Sequence, residues 1–182
     1  MKKMILLTIL LFLTANVHAE SPTDKGVYGL GGSISYRNID RDSGSDLNVF
    51  QISPSVRYFI YDNIAVGVSL EYEKWNGSID SKTYGIGPTL RYYFPNITAN
   101  PFLEAGYTYS KIRYEIPNLP AKVSSNDYSI AFGLDLFLSR NVSIEPIVKY
   151  SWKNYKDEMF STPGDIDEKT LYMGIGVNLF IF

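Results

Sequence analysis

The 182-residue chain has no cysteine. Disulfides, thiolate nucleophiles and thiolate-bound metals are therefore excluded. Its one histidine, His18, lies in a stretch that reads as a removable leader: Lys2-Lys3, the apolar Met4 to Leu13, then the small-residue site Val17-His18-Ala19. Without that leader, Ser-His and Cys-His chemistry has no base and zinc loses its usual ligands. Beyond Leu13 no segment approaches the about 20 apolar residues that a spanning helix needs. An excess of either charge is missing too. The net charge of −2 falls to −4 once Lys2 and Lys3 leave, which argues against a nucleic-acid partner. Residues 1–19 are thus expected to be a signal peptide, and residues 20–182 a single domain of a bacterial envelope.

What the chain does have is aromatics, 15% of all residues, and alternation. In ISPSVRYFIYDNIAVGVSLEY, Ile52 to Tyr72, apolar and polar residues alternate on both sides of Asp62-Asn63. That period of two marks strands with unlike faces. Eight such runs are expected: Val27–Asn38, Asn48–Ile60, Ile64–Trp75, Thr83–Phe94, Phe102–Glu115, Tyr128–Leu138, Val142–Asn154 and Thr170–Phe182. Their connections alternate between tight (Asp62-Asn63, Pro95 to Pro101, Ser139-Arg140) and long (IDRDSGSD, NGSIDSK, IPNLPAKVSSND, YKDEMFSTPGDIDE). Short turns at one end and long loops at the other are the layout of an outer-membrane barrel. The predicted fold is all-β, an eight-stranded antiparallel transmembrane β-barrel.

The apolar face, with Val66, Val68, Leu70, Ile86, Leu90, Ile130 and Phe132, carries no charge through its middle. Tyr84 and Tyr92, eight apart, bracket a band of about 20 Å, close to the ~25 Å apolar belt of such barrels. This face is assigned to lipid. The other face holds serines and ten charges: Arg37, Arg57, Glu71, Glu73, Arg91, Glu104, Asp135, Glu145, Lys149 and Lys153. Ten charges in the core of a soluble barrel would be prohibitive, whereas a narrow membrane lumen lets them pair or meet water. Arg91 and Glu104, flanking the Pro95 to Pro101 turn, are expected to meet, with Arg57, Asp135 and Glu145 in the same periplasmic ring. Pro54, Pro88 and Pro146 fall within strands, where bulges are expected. The Gly-x-Gly pairs at Gly29, Gly85 and Gly174 precede no helix, so they read as close-packing lumen positions rather than a nucleotide fingerprint.

Chemistry beyond structure finds little support. The carboxylates Glu71 and Glu73, or Glu104 with Asp135 or Glu145, resemble an acid pair in number only, because basic lumen residues offer partners. The Asp-rich stretch Asp40 to Asp46 has calcium-loop spacing, but Gln51 stands where the bidentate Glu belongs. No catalytic, cofactor or metal residue is expected. Lys74, Lys82, Lys111 and Arg113, near the long-loop end, are candidate contacts to lipopolysaccharide phosphates.

The segments ISPSVRYFIYDNIAVG, GPTLRYYF, NPFLEAGYTYS and GIGVNLFIF, in this order, resemble the small porin-family outer-membrane β-barrel domain of Gram-negative bacteria. The resemblance implies a monomer in outer-membrane lipid, inserted by the assembly machinery that reads the last strand and its terminal aromatic. Ile175, Val177, Leu179 and Ile181 form the outer face of that strand, which puts Phe180 and Phe182 on the opposite parity. Either a bulge shifts the frame or Phe182 lies past the strand. The expected role is structural or surface-interacting, with a narrow, charge-filled lumen. A small diffusion pore and a loop-based adhesin are the alternatives.

Overall fold

The structure, a computed structural model, describes residues 21–39, 47–76, 80–94, 99–114, 121–156 and 166–182. The leader at 1–19 and the Asp-rich stretch at 40–46 lie outside them. Eight strands form a closed barrel in sequence order: β1 (Tyr28–Ile39), β2 (Leu47–Tyr61), β3 (Ile64–Asn76), β4 (Ser81–Tyr93), β5 (Ala99–Tyr114), β6 (Ala121–Ser139), β7 (Val142–Lys156) and β8 (Ile166–Ile181). Every neighbouring pair is antiparallel, and β8 closes on β1. Among the described residues no helix is long and apolar enough to cross a membrane.

The pairing also fixes the tilt. Facing residues followed once around run Tyr28, Tyr58, Val66, Leu90, Ala105, Ile130, Tyr150 and Leu171. Leu171 lies 10 residues before Ile181, the residue that faces Tyr28 directly. Eight strands with that stagger tilt by about 43°, inside the typical range of 35–45°, and leave an interior just wide enough for side chains.

The faces divide as the alternation predicts. Val56, Val66, Val68, Leu70, Ile86, Leu90, Ile130 and Phe132 point outward, while Arg57, Glu73, Arg91, Asp135 and Glu145 are buried inside. Tyr84 and Tyr92 both lie outward on β4, at the two edges of the apolar band. Asn63 takes a left-handed φ of 65° in the Asp62-Asn63 turn, a conformation that Asn tolerates in two-residue hairpins.

Four expectations need correction. β6 begins at Ala121 rather than Tyr128, β8 at Ile166 rather than Thr170, and β5 at Ala99 rather than Phe102. The stretch AKVSSND is polar because the β5–β6 hairpin continues past the apolar band into water, where a polar strand carries no penalty. The prolines do not shift the register. On both sides of Pro54, Pro88 and Pro146 the strands keep one alignment, with pairing interrupted along one neighbour only. The irregularities fall instead at Phe59/Tyr61 and Phe137/Ser139, beside the short turns. A missing N–H removes a ladder bond without adding a residue, whereas a tight turn needs the extra residue to reverse the chain.

Candidate functional site

The lumen is built in layers, counted here from the short-turn end. On four strands the inward-facing parity ends in an aromatic: Phe59 on β2, Tyr93 on β4, Phe102 on β5 and Phe180 on β8. With Val27 these side chains are fully buried and form one cluster. Ring centroids lie 5.5 Å apart for Phe59–Tyr93, 5.7 Å for Tyr93–Phe102 and 6.4 Å for Phe59–Phe180. The chain before β1 holds the layer from below. Gly26 N–H donates to Phe59 O (2.9 Å), Asn63 N–H to Thr23 O (2.7 Å), and Thr23 Oγ1 to Asn63 Oδ1 (2.8 Å). Phe180 is pinned through its backbone by Asn141, whose Nδ2 donates to Phe180 O at 2.8 Å.

This aromatic layer has a sequence signal that the charge pattern overshadowed. Each aromatic sits two residues from an inward polar group: Arg57 then Phe59, Arg91 then Tyr93, Glu104 then Phe102, Asn178 then Phe180. Phe180 is thus a seal residue. No shift occurs along β8, and Phe182 lies just past the strand under the Arg140 guanidinium, 4.5 Å from the ring centroid.

The second layer is ionic. Arg91 Nε donates to Glu104 Oε2 (2.7 Å), while Nη1 and Nη2 donate to the two oxygens of Glu145 (2.5 and 3.3 Å). Its guanidinium also lies over Phe102, 3.7 Å from the ring centroid, which ties the two layers together. Arg57 pairs with Glu145 (3.5 Å) and donates to Asn178 Oδ1. Asn178 Nδ2 donates to Asp135 Oδ1 and to Glu145 Oε2, both at 2.7 Å, and Ser143 donates to Asp135. Arg57, Arg91, Glu104, Asp135 and Glu145 therefore come together in one layer. Asn178 and Ser143 complete the network, since a second lone pair on each buried carboxylate needs a neutral donor. Gly31 makes room for it: a Cβ there would lie 1.9 Å from Asn178 Oδ1.

Above this layer is a cavity of about 80 Å³, lined mainly by hydroxyls such as Ser33, Ser53, Ser69, Thr89 and Ser129. Glu71, Lys149 and Tyr172 also border it. Glu71 accepts from Gln51 Nε2 at 3.2 Å, and Lys149 Nζ sits 5.4 Å from the Tyr172 ring centroid. Lys153 faces Asp127 on β6 and Glu168 on β8 in the pairing register, and Glu73 faces Gln51. These four expected residues form an upper group separate from the Arg91 network. Asp127 belongs with them and was missed because its segment read as a loop. Arg37 faces Val49 in the register; its side chain lies outside the described residues.

The outward basic residues fall into register as well. Lys74 faces Lys82, and Lys82 faces Arg113, so three adjacent strands carry a cation at one level. One step toward the apolar band, Tyr72 faces Tyr84 and Tyr84 faces Lys111. The Tyr72 and Tyr84 rings lie 5.3 Å apart.

Comparison with known proteins agrees with this geometry. The described fold is similar to neisserial surface protein A (TM-score 0.62, 17% identity, 87% of this chain and 98% of that one). It also resembles the N-terminal β-barrel domain of Pseudomonas aeruginosa OprF (TM-score 0.55, 16% identity, 86% and 98%). A third likeness is to Ail, the attachment invasion locus protein of Yersinia pestis (TM-score 0.52, 16% identity, 86% and 99%). No curated protein sequence matches the chain. The profile of the outer membrane protein beta-barrel domain matches residues 5–178. The chain belongs to that family of outer-membrane β-barrels.

Proposed function

We propose that this barrel acts as a non-catalytic, monomeric element of the outer membrane, through its lipid and surface contacts rather than by passing solutes. The observation that carries this reading is the double seal. A solute would have to displace both the Arg91 network and the Val27–Phe59–Tyr93–Phe102–Phe180 cluster. The same network argues against acid–base catalysis, because Asp135 and Glu145 are buried and committed to Arg57, Arg91 and Asn178. In planar bilayers the refolded wild type should show no steady conductance. Arg91→Ala with Glu104→Ala should also stay closed, because the aromatic layer remains. Stable channels in wild type would favour the diffusion-pore alternative. The export signal at 1–19 and insertion by the outer-membrane assembly machinery are part of this proposal. So is surface interaction through the long loops, a role suggested by the attachment protein among the similar structures.

The proposed lipid partner is lipopolysaccharide, with its phosphates at the Lys74–Lys82–Arg113 row and Lys111 beside it. Like charges on facing strand positions repel, and an anion laid across them removes that cost. The aromatic step beneath supports the same placement, since Tyr favours the membrane–water interface. Each basic residue near a charged surface contributes about 1 kcal/mol. Changing Lys74, Lys82 and Arg113 together to glutamine should therefore remove about 3 kcal/mol of the stabilisation that lipopolysaccharide confers over phosphatidylcholine. An unchanged lipid preference in urea unfolding would rule the row out.

A further inference from the structure

The barrel is not zipped along its whole height. β1 and β8 pair only from Tyr28–Ile181 to Ile34–Ile175, although β1 continues to Ile39 and β8 begins at Ile166. Among the described residues, β1 pairs above Ile34 with β2 alone, and β8 pairs beyond Ile175 with β7 alone. Two strand edges therefore face one another without a ladder. This gap begins within the apolar band. Ile34 and Ile175 are lipid-exposed (60% and 65%), and past the last pair β8 still presents Met173 and Leu171 outward (69% and 58%). An open edge in hydrocarbon leaves polar backbone groups unsatisfied unless something meets them.

The hydroxyl-lined cavity reaches the seam where its ladder ends, bordered by Gly32 and Ser33 of β1, within the last native pairs, and by Tyr172 of β8, three residues past them. Tyr172 crosses the inside of the seam where pairing ends. Its ring lies over Gly174, with ring carbons 2.6 Å from where a Cβ would sit, and its hydroxyl is 3.4 Å from Ser33 Oγ. Ser35, the first β1 residue past the last pair, has a buried Oγ without a hydrogen-bond partner. A lipid-facing gap, an unpartnered hydroxyl at its lip and a polar cavity that reaches the end of the ladder therefore adjoin one another.

We propose that the upper β1–β8 seam is a lateral portal that admits the head of a single-chain, neutral, hydroxyl-bearing amphiphile from the outer leaflet, its acyl chain staying in lipid. The charges bordering the cavity are mixed, Glu71, Glu104 and Glu145 against Arg91 and Lys149, which favours a neutral head over an ionic one. The volume suits a glycerol-sized group, being roughly that of five or six waters. The base below is sealed, so the site holds its ligand rather than passing it on.

The test uses the full-length protein refolded in nanodiscs and titrated with 1-palmitoylglycerol while amide resonances are followed. Binding should shift Ser33, Ser53 and Lys149 saturably, whereas tetradecane, which has no head, should shift only Ile34 and Ile175. Because the protein is cysteine-free, Tyr36→Cys with Met173→Cys adds one thiol on each strand two residues beyond the last native pair, where continuing the register would set the two opposite. Oxidation should abolish the lumenal shifts and reduction should restore them. Equal lumenal shifts in the oxidised protein, or with tetradecane, would overturn the portal. Should the thiols fail to join, Ser35→Val provides the second measurement: about tenfold weaker binding is expected, and unchanged affinity overturns the proposal.

Discussion

Replacing Arg91 with alanine should destabilise the barrel by about 3–5 kcal/mol, the cost of stripping one partner from a buried ion pair. Arg91 is 3% exposed and binds two carboxylates at once, Glu104 and Glu145, with Asp135 Oδ2 3.9 Å away. Its removal leaves three acids around Arg57 alone, in a lumen too narrow to hydrate them freely. It also uncovers the Phe102 ring, so the aromatic seal loses its upper contact. Arg91→Lys should recover only part of the loss, because an ammonium cannot bridge two carboxylates and stack flat on a ring. Glu104→Ala should cost less, since Glu104 is the more exposed partner, and the Arg91–Glu104 double change should cost less than the sum of the singles. Urea unfolding in lipid vesicles measures all four. A wild-type midpoint for Arg91→Ala would mean that the network contributes nothing to stability.

Val68→Arg should cost about 2–4 kcal/mol, the penalty for a basic residue on the lipid face near the bilayer midplane. Val68 points outward at 48% exposure, between Val56 on β2 and Pro88 on β4. Its neighbour Ser69 borders the hydroxyl-lined cavity, with Glu71 and Glu104 on the same lining. Ser69→Arg places its charge among these acids and should cost much less. The contrast between adjacent residues isolates the face from the position along the strand. Equal losses on refolding, or the reverse order, would contradict the outward assignment of Val68.

Much of this could be read from the chain because a β-strand has a period of two and a membrane barrel imposes unlike solvents on its two faces. Val66, Val68 and Leu70 could only face lipid once Arg57, Glu71 and Arg91 needed an interior. The sorting of short and long connections then gave the strand number and the end at which the turns lie. Even the meeting of Arg91 with Glu104 follows from two residues flanking one short hairpin, since antiparallel neighbours near a turn must face each other.

Longer-range relations were another matter. Asn178 lies 121 residues from Arg57, and its amide joins Arg57, Asp135 and Glu145 only because closure sets β8 beside β1 with a stagger of ten residues. Phe59, Tyr93, Phe102 and Phe180 each look like a single misplaced aromatic in their own strand. Their convergence into a seal depends on the tilt, which brings the ends of four separate strands to one level. The Lys74–Lys82–Arg113 row and the unpaired upper seam are likewise properties of register, which local alternation leaves open. The sequence alone decided which face each residue takes, because that is a question of parity and solvent. Only the closed barrel decided which residues share a height, because height depends on stagger summed around the circumference.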